Sequence, residues 1–451
     1  MTGKGRTSRV LGVHLIGRGF GESIILELPD GEVGVIDCCS PLRLAKASRT
    51  ERIRINPTLK FLHDALKAKK LAFLGFTHPH EDHGSGLSHL LEHFGDKIKQ
   101  FWLFDVFFLL ELGNYFRALS QVRTPSAVEE LLNEQAGTFG EEMLNVARRV
   151  GAQVNSRRRS KPIIRLFGKL RSFVVSGVQV DCLGPHGNVA SGYGQAIARN
   201  LKGVLDANGK LVREGWNPLK VNHNQISPAL LLTFGKTKVV LGGDMEQAAW
   251  KAVLRDVKNR DEMMPNLRCH FWKVSHHGSK TGATNQLMRA FSPRKAMLAA
   301  LTPFNRHQAP LPNSVGVGRI RPRVSQLLTT NLPEAQKALT GRNAPIGIPP
   351  DWISLLANNP SLQGALTQTV IGPERRVLPF PFVPNELKPA LFADPSRLCL
   401  LRPNLQISAR QEIEKMQGGV HNACRLSFYF DASGRELMNR RYVGALAGTL
   451  R

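Results

Sequence analysis

The loop His78-Pro79-His80-Glu81-Asp82-His83 follows, after Thr77, on the apolar run Leu71 to Phe76, and no other segment constrains the fold as much. The run reads as a buried strand, with a helix-like segment from Pro57 to Lys69 before it. His78, His80, Asp82 and His83 crowd just past the strand end, so they can converge on metal without a long flexible loop. Imidazole nitrogen and carboxylate oxygen together suit zinc, manganese or iron. His78 and His80 sit two residues apart while Asp82 and His83 are adjacent, an arrangement that serves two neighbouring cations better than one. The plain alternative is a histidine-rich surface loop, and this spacing behind a strand argues against it.

More ligands follow in order along the chain. Lys238 to Asp244 is an apolar strand ending in Gly242, Gly243 and a carboxylate, with Asp244 placed to bridge two cations. Phe271 to Val274 repeats the pattern of strand, then histidine, then glycine, and delivers His276 and His277. Glu32 to Asp37 is another strand ending in an acid; Asp37 reads as a carboxylate that orients a ligand histidine, not as a ligand.

Taken together these segments resemble the metallo-β-lactamase fold, and within it the hydrolase domain of ComEC-type DNA-uptake proteins. The resemblance covers Val10 to about Pro312 and rests on Gly19 to Ser23, the His78 to His83 cluster, Gly243-Asp244 with Glu246 behind it, and His276 to Lys280, with a weaker match at Leu301 to Asn305. It implies an α/β protein built as an αββα sandwich. It also implies two divalent cations, zinc first and manganese as the alternative, that activate a water for attack on phosphorus or carbonyl carbon. By the same resemblance the first cation takes His78, His80 and a further histidine, and the second takes Asp82, His83 and one of the late pair. His277 is taken as that ligand. His276 then contacts a substrate oxygen or protonates a leaving group, and Asp82 also orients the nucleophile. ComEC-type proteins often lack the second histidine of the first cluster; His80 is present here, which points to a complete two-cation set. The further histidine has two candidates. His223 precedes the strand Ala229 to Phe234 at the spacing the family uses and is favoured over His186, which lies in a turn-like Gly-Pro-His-Gly; Asn222 is a third option, because ComEC-type relatives tend to carry asparagine near this position.

Charge bears on the substrate. The chain has 61 Lys+Arg against 35 Asp+Glu, a formal net charge of +26, which raises the local concentration of polyanions. Arg157, Arg158, Arg159, Lys161, Arg165, Lys169 and Arg171 run without an acid among them, before an expected strand Ser172 to Val180. Lys273 and Lys280 flank the histidine pair where a phosphate would approach. A basic run alone is as easily a solvated loop. Behind a phosphodiesterase-type metal site it favours nucleic acid as substrate, DNA-binding included, without separating DNA from RNA. Two other readings stay open: a hydrolase of a small phosphodiester, cyclic nucleotide or lactone, and a non-enzymatic module that binds nucleic acid or a partner.

Length and composition set the organisation. The 451 residues leave room for more than one domain. Residues 1–315 read as the hydrolase domain. Residues 316–451, richer in proline and glycine, read as a small accessory module that docks on the hydrolase, binds a protein partner or contacts nucleic acid, with a strand Cys424 to Phe430 and a return strand Arg435 to Gly444. The apolar stretch Phe101 to Phe116 and the helical piece over Val128 to Val150 read together as core strand and covering helices. The apolar stretch is interrupted by Asp105 and Glu111 and is too short to span a membrane. The cysteines Cys38, Cys39, Cys182, Cys269, Cys399 and Cys424 lack metal-type spacing and read as buried thiols, and the basic start Met1 to Arg9 makes a poor signal peptide. The expected setting is cytoplasmic.

Overall fold

The computed structural model describes residues 9–19, 21–40, 48–104, 108–119, 121, 127–155, 160–166, 171–206, 210–212, 221–258, 266–292, 297–305, 310–341, 370–371, 377–378, 420–444 and 446–450. The strands of the first half are β1 (Val10–Ile16), β2 (Ser23–Glu27), β3 (Val33–Ile36), β4 (Phe73–Phe76), β5 (Phe101–Leu103), β6 (Ile163–Arg165), β7 (Arg171–Val175) and β8 (Val178–Gly184). Those of the second half are β9 (Ala229–Phe234), β10 (Thr237–Leu241), β11 (Phe271–Lys273), β12 (Met297–Leu301) and β13 (Val324–Thr329). The hairpin β14 (Val370–Ile371) and β15 (Val377–Leu378) stands apart, and β16 (Arg425–Asp431), β17 (Tyr442–Val443) and β18 (Gly448–Thr449) come last.

Two eight-stranded sheets result, ordered β17-β16-β1-β2-β3-β4-β5-β6 and β18-β13-β12-β11-β10-β9-β8-β7. In each, an antiparallel set feeds a parallel one: β3 to β6 run parallel in the first sheet, β10 to β13 in the second. The inner faces meet through Leu11, Val13, Leu26 and Phe73 on one side and Leu232, Val239, Leu241 and Phe271 on the other. On the outer face of the first sheet the helices α1 (Arg49–Ile55), α2 (Pro57–Asp64), α3 (Glu81–Gly84), α4 (Leu87–Phe94), α5 (Phe108–Leu119), α6 (Ala127–Val154) and α7 (Gly187–Leu201) follow one another, and Phe61, Leu90, Leu112 and Met143 pack inward. On the second sheet, α8 (Gln247–Lys258), α9 (Asn285–Phe291), α10 (Ser314–Ile320) and α11 (Leu332–Thr340) bury Trp250, Phe291, Ile320 and Ala335. This is an αββα sandwich, because each sheet has two apolar faces and must cover both.

Three expectations are corrected. Residues after 316 do not stand aside as a separate module where they are described: β13 and β18 extend the second sheet, and β16 pairs with β1 from Val10↔Asp431 to Ile16↔Arg425. The return strand over Arg435 to Gly444 shrinks to β17, because a 3-10 turn at Met438–Arg440 intervenes. The single strand Ser172 to Val180 is a hairpin, since Ser176 (φ 48°) and Gly177 (φ 80°) make a tight turn with both residues left-handed. Phe101 to Phe116 divides into β5 and α5, and no helix among the described residues is long and apolar enough to cross a membrane.

Candidate metal centre

In a parallel sheet the loops at the carboxyl ends of the strands gather on one edge, where ligands bind. Here the parallel parts of both sheets bring that edge together. β3 ends in Asp37, β4 runs into His78 to His83, β10 into Gly243-Asp244, β11 into His276-His277 and β12 into Thr302. Gly243 is required at its place: it has φ 50°, and a Cβ there would lie 2.4 Å from the Pro228 carbonyl. The same tight turn lets the Asp244 N–H donate to Ser227 Oγ at 2.7 Å.

The ligand-type atoms form two groups that share Asp244, their atoms all within 4.8 Å of one another in each: Asp82, His83, Asp244 and His277, then His78, His80 and Asp244. His277 Nε2 lies 2.9 Å from Asp82 Oδ2, while His83 Nε2 is 3.4 Å from Asp82 and 3.5 Å from Asp244 Oδ1. Asp244 Oδ2 is 3.8 Å from His78 Nε2 and 3.7 Å from His277 Nε2, and His78 Nε2 is 2.9 Å from His80 Nδ1. These spacings fit a cation, because ligands on bonds of about 2.1 Å in a tetrahedron lie about 3.4 Å apart. Two of the atoms involved, His83 Nε2 and Asp244 Oδ1, are buried and make no hydrogen bond. A buried polar atom left so is costly, which is what a metal would remedy.

Electrostatics point the same way. Burial, then His83 and His80, holds His78 well below the usual imidazole pKa, so it is neutral and able to coordinate. Burial works against charge on His83, but Asp82, Asp244 and Asp37 more than offset it and lift its pKa well above the usual value. Asp82 and Asp244 stay ionised: burial opposes this, but His83 and the hydrogen bond from His277 for Asp82, and His277 and His83 for Asp244, overcome it. In the metal-free chain protons on histidine thus balance the carboxylates, a charge a divalent cation would replace.

The remaining candidates take these places. Asp37 accepts from His83 Nδ1 at 2.7 Å and from the Thr77 N–H and hydroxyl, so it fixes the His83 ring. His223 stands beside His80, ring centroids 5.3 Å apart, with Nδ1 2.6 Å from the Tyr193 hydroxyl. Burial and His80 push it down to about 3, the neutral form. His186 caps α7 and faces Asp256 at 3.3 Å instead. Asn222 turns its amide to Glu246 at 3.0 Å. His277 is buried, while the His276 side chain is 20% exposed and reaches Asn224 at 3.2 Å and Glu246 at 3.4 Å. Both histidines have left-handed backbones, φ 48° and 51°, a conformation costing about 1–2 kcal/mol per residue. The turn aims the adjacent rings apart. The nearby His276 ring, against a smaller effect of burial and with help from Asn222, holds the Glu246 carboxyl down to about 2.

Lys273 is the clearest correction. It lies two residues beyond Phe271, so it shares that residue's inward side of β11, and it is buried against Glu22 instead of facing a phosphate. Lys280 is exposed on the loop after His277, and the Arg319 guanidinium donates to its carbonyl at 2.7 Å. Arg157, Arg158 and Arg159 lie outside the described residues. Nearby Lys161 donates to the carbonyls of Asp96 and Ile98, at the start of β5 and so at the end of the parallel strands away from His78. Glu22, Thr302 and Tyr193 were given no role from sequence. Glu22 had a signal: an acid directly after Gly21, whose φ of 151° and close approach to the Asp82 carbonyl seat it at the site.

No family model matches the chain, and no curated protein does. Among solved structures it is similar to the metallo-β-lactamase fold protein YhfI from Bacillus subtilis, 12% identical, covering 70% of this chain and 95% of that one at a TM-score of 0.32. It is similar to a long form RNase Z from yeast, 8% identical over 66% of this chain and 37% of that one, TM-score 0.32. A HARLDQ motif mutant of a metallo-β-lactamase from Cronobacter sakazakii is 10% identical over 59% and 78% of the two chains, TM-score 0.28.

Proposed function

We propose that the chain is a metal-dependent hydrolase of the metallo-β-lactamase type that cleaves phosphodiester bonds in nucleic acid, in a cytoplasmic setting. The observation that carries this is the buried convergence of His78, His80, Asp82, His83, Asp244 and His277 from both sheets onto one edge, with ligand atoms left without hydrogen bonds. Two divalent cations held there, zinc or manganese, would lower the pKa of a water to about 7 and stabilise charge building up on phosphoryl oxygens. His78, His80 and His223 would hold the first cation, Asp82, His83 and His277 the second, and Asp244 both. His276, steadied by Glu246 and beside Asn224, is placed to donate a proton to a leaving oxygen. Lys280 would meet the phosphate backbone.

The net charge of +26 supports a polyanionic substrate. A small-substrate hydrolase is the second reading, favoured by the apolar setting that Tyr115, Phe116 and Tyr193 give His223. The C-terminal strands are proposed to serve the fold before any partner.

The test incubates the protein with labelled single- and double-stranded DNA and RNA under zinc, manganese or magnesium, with and without chelator. Cleavage that chelator abolishes is expected. Replacing Arg157, Arg158 and Arg159 together by alanine should weaken binding and flatten its salt dependence, by about one unit of slope per lost phosphate contact. Cyclic nucleotide or lactone hydrolysis without nucleic acid cleavage would move the assignment to the second reading.

A further inference from the structure

Behind the candidate metal centre lies a buried polar layer to which that reading assigns no part. Glu22, from the loop before β2 in the first sheet, forms an ion pair with Lys273 at the end of β11 in the second. Both are fully buried between the sheets. The carboxylate lies behind two candidate ligands at once: its Oε1 is 3.8 Å from His83 Nδ1 and its Oε2 is 3.6 Å from His277 Nδ1. The Thr302 hydroxyl donates to Glu22 and also lies 3.0 Å from His277 Nδ1. Lys273 Nζ donates to the Gly243 carbonyl at 3.3 Å and lies 4.0 Å from Asp244 Oδ1. Glu22, Asp37 and His83 form a third group of ligand-type atoms within 4.8 Å of one another, and the ammonium of Lys273 already sits on it.

We infer that Glu22 and Lys273 are positioning residues: a clamp between the sheets that sets the half-site of Asp82, His83 and His277 and leaves the half-site of His78 and His80 to itself. The asymmetry is in the contacts. Glu22 stands 3.8 Å and 3.6 Å behind the outer nitrogens of His83 and His277, whose short contacts go to Asp37 and Thr302, while His78 Nδ1 faces the Thr77 hydroxyl at 3.0 Å. The ammonium serves as a tethered cation in the third cluster, so a metal there is excluded and the carboxylate is held where the two rings need it. Disturbing the outer partners of metal-ligating histidines lowers metal affinity about 10–100-fold, and the clamp holds one of them, since Thr302 beside His277 donates to Glu22.

The inference rests on the two-cation reading, and stepwise zinc titration of the metal-free protein against a chromophoric chelator tests it without using activity. The double variant Glu22→Gln/Lys273→Met removes both charges at nearly constant volume, and Thr302→Val removes only the hydroxyl that joins Glu22 to His277. The expected result is one zinc step weakened about 10-fold or more in the double variant and less in Thr302→Val, with the other step unchanged. Equal weakening of both steps would make the pair a general structural support and overturn the inference, as would two unchanged steps. Wild-type protein that takes up fewer than two zinc ions would bring down the two-cation reading itself, and the clamp with it.

Discussion

Asp244→Asn should lose cations and hydrolysis together. Its carboxylate belongs to both ligand groups, with Oδ2 3.8 Å from His78 Nε2 and 3.7 Å from His277 Nε2, and Oδ1 3.5 Å from His83 Nε2. Asparagine keeps the shape but offers a neutral oxygen and an amide, so neither half-site retains its shared charge. Cations contribute several kcal/mol of charge stabilisation to phosphoryl transfer, so kcat should fall at least about a thousandfold. Metal content and turnover measured on the same preparation check this. Metal-free Asp244→Asn should melt below the metal-free parent, because it removes a buried carboxylate that His277 and His83 balance there. A variant that keeps both metals and most of its turnover would remove Asp244 from the shared position.

The two adjacent histidines should separate cleanly. His277 is buried and sits 2.9 Å from Asp82, whereas His276 is partly exposed and leans on Glu246. His277→Ala should therefore lower both metal content and kcat. His276→Ala should leave metal content unchanged and lower kcat by about 10²–10⁴, the range for loss of a general acid. Alanine strains the left-handed turn somewhat more than histidine does, so His276→Gly is the companion variant that keeps the backbone at ease. The opposite pattern, metal lost with His276 and kept without His277, would reverse the two roles.

How much of this could be read from the chain follows from the range of the interactions. The cluster His78 to His83 was legible because its candidate ligands are neighbours in sequence and a strand fixes where the loop starts. Asp244 and the late pair were legible for the same local reason, strand followed by glycine and ligand. Spacing favoured His223 over His186, while their surroundings could not be read from sequence: α5 and α7 pack around His223, and Asp256 stands beside His186. Lys273 was misread since nothing local says which face of a three-residue strand looks inward; its partner Glu22 lies on the other sheet. The C-terminal strands were read correctly as β structure at Arg425–Asp431 and misplaced as a separate unit. Pairing of β16 with β1 joins distant parts of the chain, and the register that buries Leu426, Phe428 and Phe430 between the sheets emerges only there.

The most direct measurement is the metal content of protein purified without chelator and loaded to saturation, by elemental analysis. Close to two divalent cations per chain is the expected result, falling to none in Asp244→Asn. A maximum of one per chain, or uptake that Asp244→Asn leaves untouched, would contradict a shared two-cation centre at this edge of the sandwich.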